Sequence, residues 1–567
     1  MAYIYIKKCS ETPYGILAIV RDGKVSKKAL GNLPELYSGM SVNITFEDDG
    51  MKVADYEVPM TERNKNFLVK HNIEPSDFED KVKLHKETGL LWRELKKADN
   101  PYRSGSFEKS DKIAYVCGFA KDSPIRLSAL LDATLKEFRQ NRVWQYHSSE
   151  FIDGVRRVER RGAFTPLSDE TVFDFLKDKR LTFTDKLSDS EIVRAKFFIK
   201  KNIYGRKTSS IPLLSENEIN DYLKTDNTLS DEQKQAVYAL KDTKPTIVTG
   251  GAGTGKTTTI RGIINAFVKH HSKNDICLMA PTGKASRRMS ESTGMDAYTI
   301  HTKLRKTPES EFVFYNAKNP LPYTVYIVDE SSMTDDLLMS DLLNAIPENA
   351  KIYFIGDCNQ LYPVSVGEPF HEMVKNNVCD VVVLRQNFRQ GSGNVILDNA
   401  ENILEDRKIH EGNGFVVRTI DKKDITSFAK EDVQNISPYN ELNDEINRHI
   451  VGKYTGTEDL QVFFKGEKII AGKNTEDFAN GDIGTVVHVG ESEIRIDFNG
   501  RLVSVGKKDY NLITPAYSLT VHKTQGSEYP EVNIFLPKRK EKFVTRRLVY
   551  TAVTRAKSQV NLYLYNV

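Results

Sequence analysis

At 567 residues the chain exceeds what one hydrophobic core supports, and several units of roughly 100–200 residues each are expected. Its 39% hydrophobic and 28% charged content, with no apolar run approaching the ~20 residues needed to cross a bilayer, excludes a membrane-spanning protein. The 81 basic and 78 acidic side chains leave a net charge of +3, so any polyanion must be held in a local groove, and five cysteines without a CxxC pair give neither a disulfide framework nor a zinc site.

Residues 1–60 form a β-rich domain in this reading: YIYIKK, GILAIV, SVNITF and KVADYEV alternate like strands, with turn signals at Arg21-Asp22-Gly23 and Asp48-Asp49-Gly50. A small β-barrel or sandwich is expected there. Residues 61–225 turn mainly helical, as in LSALLDATLKEFRQ (127–140). The basic stretch VRRVERRG (155–162) reads first as a solvated helix face and second as a phosphate contact.

From residue 226 the grammar becomes strand, turn, amphipathic helix, repeated. PTIVTG, DICLMAP, TVYIVDE and AKIYFIGD are buried-strand runs, and they predict an α/β unit with a parallel doubly wound sheet over 226–384. A second such set covers 385–567. A β-rich insert at about 461–513 (VFFKGEKII, DIGTVVHVG, EIRIDFNG, RLVSVG) interrupts it, with a spacing that suits a small SH3-like barrel.

Gly250, Gly251, Ala252, Gly253, Thr254, Gly255, Lys256 and Thr257 fit G-x-x-x-x-G-K-T, followed by Thr258 at the start of a helix. Such a loop is Gly-rich because successive backbone N–H groups must curl around phosphates. Lys256 then reaches the β and γ phosphates and the Thr257 hydroxyl ligates Mg²⁺. ATP or GTP binding follows. The strand Val325-Tyr326-Ile327-Val328 ends in Asp329, which holds Mg²⁺ through water, and Glu330, which orients and deprotonates the attacking water. Arg389 in LRQNFRQ and Arg555 in YTAVTRAK read as fingers reaching the γ-phosphate across a cleft, or else as ordinary surface arginines.

The ordered blocks LSDEQKQAV (229–237), GGAGTGKTT (250–258), APTGKASRRM (280–289), TIHTKL (299–304), VDESSM (328–333), IGDCNQLYPVSVGEPF (355–370), LRQNFRQ (384–390), LTVHKTQGSEYP (519–530) and VYTAVTRAK (549–557) resemble superfamily 1 helicases, and more narrowly the RecD-like branch of superfamily 1B. The resemblance spans about 226–567. It implies two RecA-like P-loop lobes that hydrolyse ATP with Mg²⁺ and move 5′ to 3′ along single-stranded DNA, unwinding 5′-tailed duplex DNA. It assigns Gln233 to adenine and Gln360 to the γ-phosphate, with Asp357 in support. Pro281, Thr282, His301, Thr302, His522, Lys523 and Thr524 fall in blocks that line the strand groove. Residues 305–323 (RKTPESEFVFYNAKNPLPY) stand where a strand-splitting pin is carried, with FVFYN as one arm.

The alternative from another class is a motor subunit of a recombination or nuclease complex that translocates without unwinding. A nucleoside kinase would leave the downstream blocks without a role, and an RNA strand is the competing substrate. The expected state is a monomer with residues 1–225 as the surface for any protein partner and no membrane partner. The expected location is the cytoplasm of a bacterium, or of a host cell for a viral or plasmid product.

Overall fold

The computed structural model describes the backbone of five strands between 2 and 57, and residues 102, 106–116, 119–183, 186–206, 212–306, 313–388, 395–473, 475, 477–478, 480–498, 500–539, 541 and 543–566. The described chain divides into two compact units, Met1–Ser190 and Glu191–Val567.

In the first unit Ala2–Thr12 lies at the centre of a five-stranded antiparallel sheet. Gly15–Asp22 and Val25–Gly31 lie to one side, Ser41–Phe46 and Val53–Glu57 to the other. Further along, the helix Pro124–Gln140 starts at a Ser123 cap with proline at its first turn, a favourable start because proline has no N–H to orphan. It packs Leu131, Leu135 and Phe138 against Phe151 and Val155 of the helix Ser148–Glu159. The basic stretch 155–162 is spent within this unit: Arg157 and Arg161 both reach Glu137, and Arg156 pairs with Glu159 at 2.8 Å. These ion pairs favour the helix-face reading over a phosphate contact.

The second unit is α/β. Its first sheet runs, edge to edge, Ala297–Thr299, Ile276–Ala280, Val325–Val328, Lys351–Gly356, Thr246–Gly250, Asp380–Leu384, all parallel. The four central strands are buried along their whole length, as a sheet covered by helices on both faces requires. One covering core holds Ile247, Tyr326, Val328 and Phe354, the other Val248, Ile260, Phe267 and Tyr353. The helix Ser190–Gly205 contributes Ile199 and Ile203 to the first of these cores. The helix Glu216–Thr225 contributes Ile219 and Tyr222 to the second. These two helices, which the sequence reading grouped with the N-terminal helices up to residue 225, therefore pack on the first lobe. Their apolar spacing announces a helix but not which core receives it.

The second sheet is also parallel, in the order Phe415–Asp421, Ala556–Asn566, Tyr529–Pro537, Gln434–Ser437, Ser518–Thr520. Between its last two strands in space the chain makes the helix Asn440–Thr455 and then the insert. The insert is a five-stranded antiparallel sheet ordered Arg501–Gly506, Glu493–Phe498, Ile483–Val489, Lys468–Ala471, Ile513–Pro515 around Phe463, Ile469, Val486, Ile496 and Phe498. The expected strand at VFFKGEKII shortens to Lys468–Ala471, because Phe464 N–H bonds the Glu467 carboxylate in a turn at 3.1 Å. Around FVFYN, residues 313–323 hold one β-bridge, Asn316 with Asn319, and no ladder. Residues 307–312 of that segment lie outside the described residues.

Candidate active site

The first-lobe elements of the site follow the carboxyl ends of parallel strands, the rim where open α/β sheets bind ligands, whereas Glu528 and Arg555 come directly before the strands Tyr529–Pro537 and Ala556–Asn566 of the second lobe. After Thr246–Gly250 the chain turns through Gly253 and Gly255, both at φ 81°. Glycine is needed there sterically as well. A Cβ on Gly250 would lie 2.5 Å from Thr254 Oγ1, and one on Gly255 would lie 2.3 Å from Gln233 Nε2. Lys256 opens the helix Lys256–Val268, and its ammonium donates to the carbonyls of Gly250 and Gly251 at 2.8 and 2.9 Å.

A cavity of about 260 Å³ collects part of the residues singled out from sequence, while Gly250, Gly251 and Thr258 do not line it. Ala252, Gly253, Thr254, Gly255, Lys256, Thr257, Asp329, Glu330 and Gln360 line it from the first lobe, and Gly526, Glu528 and Arg555 from the second. Asp329 and Glu330 sit side by side at the end of Val325–Val328. Burial, and then the neighbouring Glu330 charge, push the Asp329 carboxyl above the usual carboxylate range. Two buried polar atoms, Glu330 Oε2 and Gln360 Oε1, have no hydrogen-bond partner among the described residues. Two adjacent acids and these two oxygens, opposite Lys256, fit a magnesium–triphosphate pair, which brings a cation for the acids and, through the water that reacts with it, donors for the oxygens.

Arg555 is 3% exposed. Its guanidinium donates to the carbonyls of Thr551 and Ser527 at 2.9 and 3.0 Å, and to Thr554 Oγ1 at 3.2 Å. Burial lowers its pKa, opposed chiefly by Glu330. Arg389 lies outside the described residues. Its neighbours are fastened to the phosphate loop, Asn387 Nδ2 donating to Ala252 O at 2.7 Å and Phe388 N–H to Gly253 O at 2.9 Å. Asp357 supports Gln360, accepting from its Nε2 at 3.3 Å and from Tyr550 OH at 2.9 Å. Gln233 is 1% exposed and does not line the cavity. It completes a capping box, its Oε1 accepting from Ser230 N–H at 3.0 Å, and its Nε2 reaches the carbonyls of Thr254 and Gly255 at 3.5 and 3.4 Å.

Sequence reasoning missed several residues on the seam between the lobes. On the helix Arg546–Val553, Arg547 donates to Cys358 O and, at 3.2 Å, to Gln360 O, and Thr551 Oγ1 accepts from Leu361 N–H at 3.1 Å. Their signal was the spacing 547, 550, 551, one helical face. Arg288 lines the cavity and pairs with Glu528 at 3.0 Å. Burial would lower its pKa, but Glu528, Glu330 and Asp329 raise it.

Pro281 and Thr282 follow Ile276–Ala280, His301 and Thr302 follow Ala297–Thr299, and His522 and Lys523 follow Ser518–Thr520, so all lie on strand-end rims. Thr282 caps the helix Gly283–Thr293 by accepting from Ala285 N–H at 3.2 Å. His301, Thr302 and Lys523 are exposed, and His522 is half-buried with its pKa lowered by burial. Thr524 is a correction. It is 0% exposed and its hydroxyl donates to Val521 O at 2.8 Å, so it holds its own turn and offers a strand nothing.

A family profile described as AAA domain matches residues 233–366, and one described as UvrD-like helicase C-terminal domain matches 515–563. The chain is 31% identical over 351 residues to the ATP-dependent RecD2 DNA helicase of Deinococcus radiodurans, covering 58% of this chain and 48% of that protein. It is 26% identical over 436 residues to RecBCD enzyme subunit RecD of Buchnera aphidicola, covering 59% and 72%. It is 25% identical over 403 residues to the same subunit of Mycobacterium tuberculosis, covering 59% and 68%. The match thus spans about half the length of the first relative. Among the described residues no helix is long and apolar enough to cross a membrane. These relatives bear out the RecD-like resemblance of the motif blocks.

Proposed function

We propose that this RecD-like chain is an ATP-dependent DNA helicase that moves 5′ to 3′ along a single strand and couples hydrolysis in the inter-lobe cleft to stepping. One observation carries the reading: a single cavity is lined by Lys256, Asp329, Glu330 and Gln360 of the first lobe and by Glu528 and Arg555 of the second. A ligand binding there attracts both lobes at once, and its loss releases them.

Thr257 and, through water, Asp329 would hold Mg²⁺, which would supply positive charge against the phosphates. Lys256 exchanges its two loop carbonyls for those oxygens. Glu330 takes the proton of the attacking water, and Gln360 orients that water from an amide fixed by Asp357. Arg555, and Arg389 by resemblance, add positive charge from the second lobe, so hydrolysis is fast only in the closed cleft. Pro281, Thr282, His301, Thr302, His522 and Lys523, on the strand-end rims, grip phosphates without reading bases. The insert at about 461–513 is read as the SH3-like accessory barrel from its five antiparallel strands. Residues 1–225 are the surface for a protein partner, and their described part includes a core around Leu131, Phe138 and Phe151.

A second reading, a motor subunit that translocates without unwinding within a larger complex, is favoured by the likeness to a protein named RecBCD enzyme subunit RecD. Strand displacement by the purified chain on duplexes with a 5′ or a 3′ tail distinguishes these. Displacement from the 5′ tail alone is expected. Displacement only from the 3′ tail would overturn the polarity, and strand-stimulated hydrolysis with neither duplex opened would establish the second reading.

A further inference from the structure

The helix Gly283–Thr293 has two working faces. Ala285, Arg288, Met289 and Ser292 line the nucleotide cavity. Arg287, one residue from the cavity wall, points instead to the insert, where its Nη2 lies 2.8 Å from Asp482 Oδ2. The Asp482 side chain is 1% exposed, at the start of Ile483–Val489. A turn earlier on the same helix, the Lys284 ammonium stands 6.0 Å from the centroid of the Tyr529 ring. The Lys468 ammonium, on the insert's first strand, stands 5.4 Å from that same ring. Lys468 also donates to Gln434 Oε1 of the second sheet at 2.6 Å. Both amines are lowered to about 8, Lys468 by burial and Lys284 by burial and then the Lys468 charge.

Lobe, insert and second sheet thus meet at one helix, around cations and a carboxylate that are costly to bury without their partners. A buried carboxylate strongly prefers its guanidinium in place, so such a pair is made or broken rather than stretched. Arg288 on the same turn pairs with Glu528 at the nucleotide, so a movement of the helix at the cavity is a movement at Asp482.

We propose that the Arg287–Asp482 pair is the latch that sets the insert's position by the state of the nucleotide cleft. The inference rests on the function proposed above. Arg287 and Asp482 are positioning residues: they touch neither nucleotide nor strand, and act by holding the insert against the first lobe.

ATP turnover of the full chain with and without a polythymidine oligonucleotide tests it in Arg287→Gln, Arg287→Lys, Asp482→Asn and the Arg287→Gln/Asp482→Asn double variant. Basal kcat and the KM for ATP are expected to stay at wild-type values in both single neutralised variants, while stimulation by the oligonucleotide falls by about tenfold. Arg287→Lys should recover part of that loss, and the double variant should lose no more than either single. Wild-type stimulation in a single variant, multiplied losses in the double, or a lost basal rate in Arg287→Gln would each overturn the latch. A wild-type chain without stimulation would overturn the proposed function, and the latch with it.

Discussion

Glu330 holds a left-handed backbone, φ 51° and ψ 34°, where a residue carrying a Cβ costs about 1 kcal/mol or more. Its carboxylate also crowds Asp329 in a buried corner, so backbone and charge both work against the fold at this one position. Glu330→Gly relieves both terms. It is expected to raise unfolding free energy by on the order of 1 kcal/mol in denaturant titration while abolishing ATP turnover. A less stable variant would contradict this account of the strain. At this scale the phosphate loop was legible because its backbone shape admits few residues: Gly250 has no room for a Cβ, and Gly255 turns at φ 81°. Gln233 and Thr524 were less legible. A glutamine three residues after a serine is also a capping box, and a threonine in a short turn also closes it. Only the packing shows which bond each side chain makes.

The parallel strands were readable as elements because burial on both faces removes the polar alternation of a half-exposed strand. The helix Arg546–Val553 carries Tyr550 and Arg547 across the seam to Asp357 and Gln360, which sequence does not show, since those contacts join residues nearly two hundred apart. FVFYN shows the opposite failure. Its aromatic and β-branched residues suit a strand, yet Asn316 and Asn319 bond each other's backbone in a tight turn. In the insert, Glu467 is 0% exposed and burial pushes its pKa from 4.5 to about 7, only partly countered by the Phe464 amide. Between those two pH values the folded chain keeps a proton that the unfolded chain releases, so this residue's contribution to stability falls as pH rises. Glu467→Gln should therefore gain on wild type from pH 4.5 to 7, by about 3 kcal/mol at most. A variant-minus-wild-type difference that is flat across that window would show that Glu467 is not protonated in the fold.

At the scale of the molecule, one cavity is lined by residues after the carboxyl ends of the first sheet's strands and by residues just before two strands of the second sheet, and both lobes carry exposed groups suited to a phosphate backbone. Composition hides this arrangement. A net charge of +3 neither demands nor excludes a polyanionic partner, and on the proposed reading the cations that would meet one stand at the seam and along the rims. The motif order made the two lobes legible, whereas the packing of the helices Ser190–Gly205 and Glu216–Thr225 on the first lobe needed the three-dimensional core. The central claim is that one nucleotide joins two lobes which together grip a strand. It is tested most directly by the steady-state ATPase rate of the intact chain titrated with single-stranded DNA. The account predicts a saturable rise above the basal rate. A rate that stays at the basal value at every DNA concentration would contradict it.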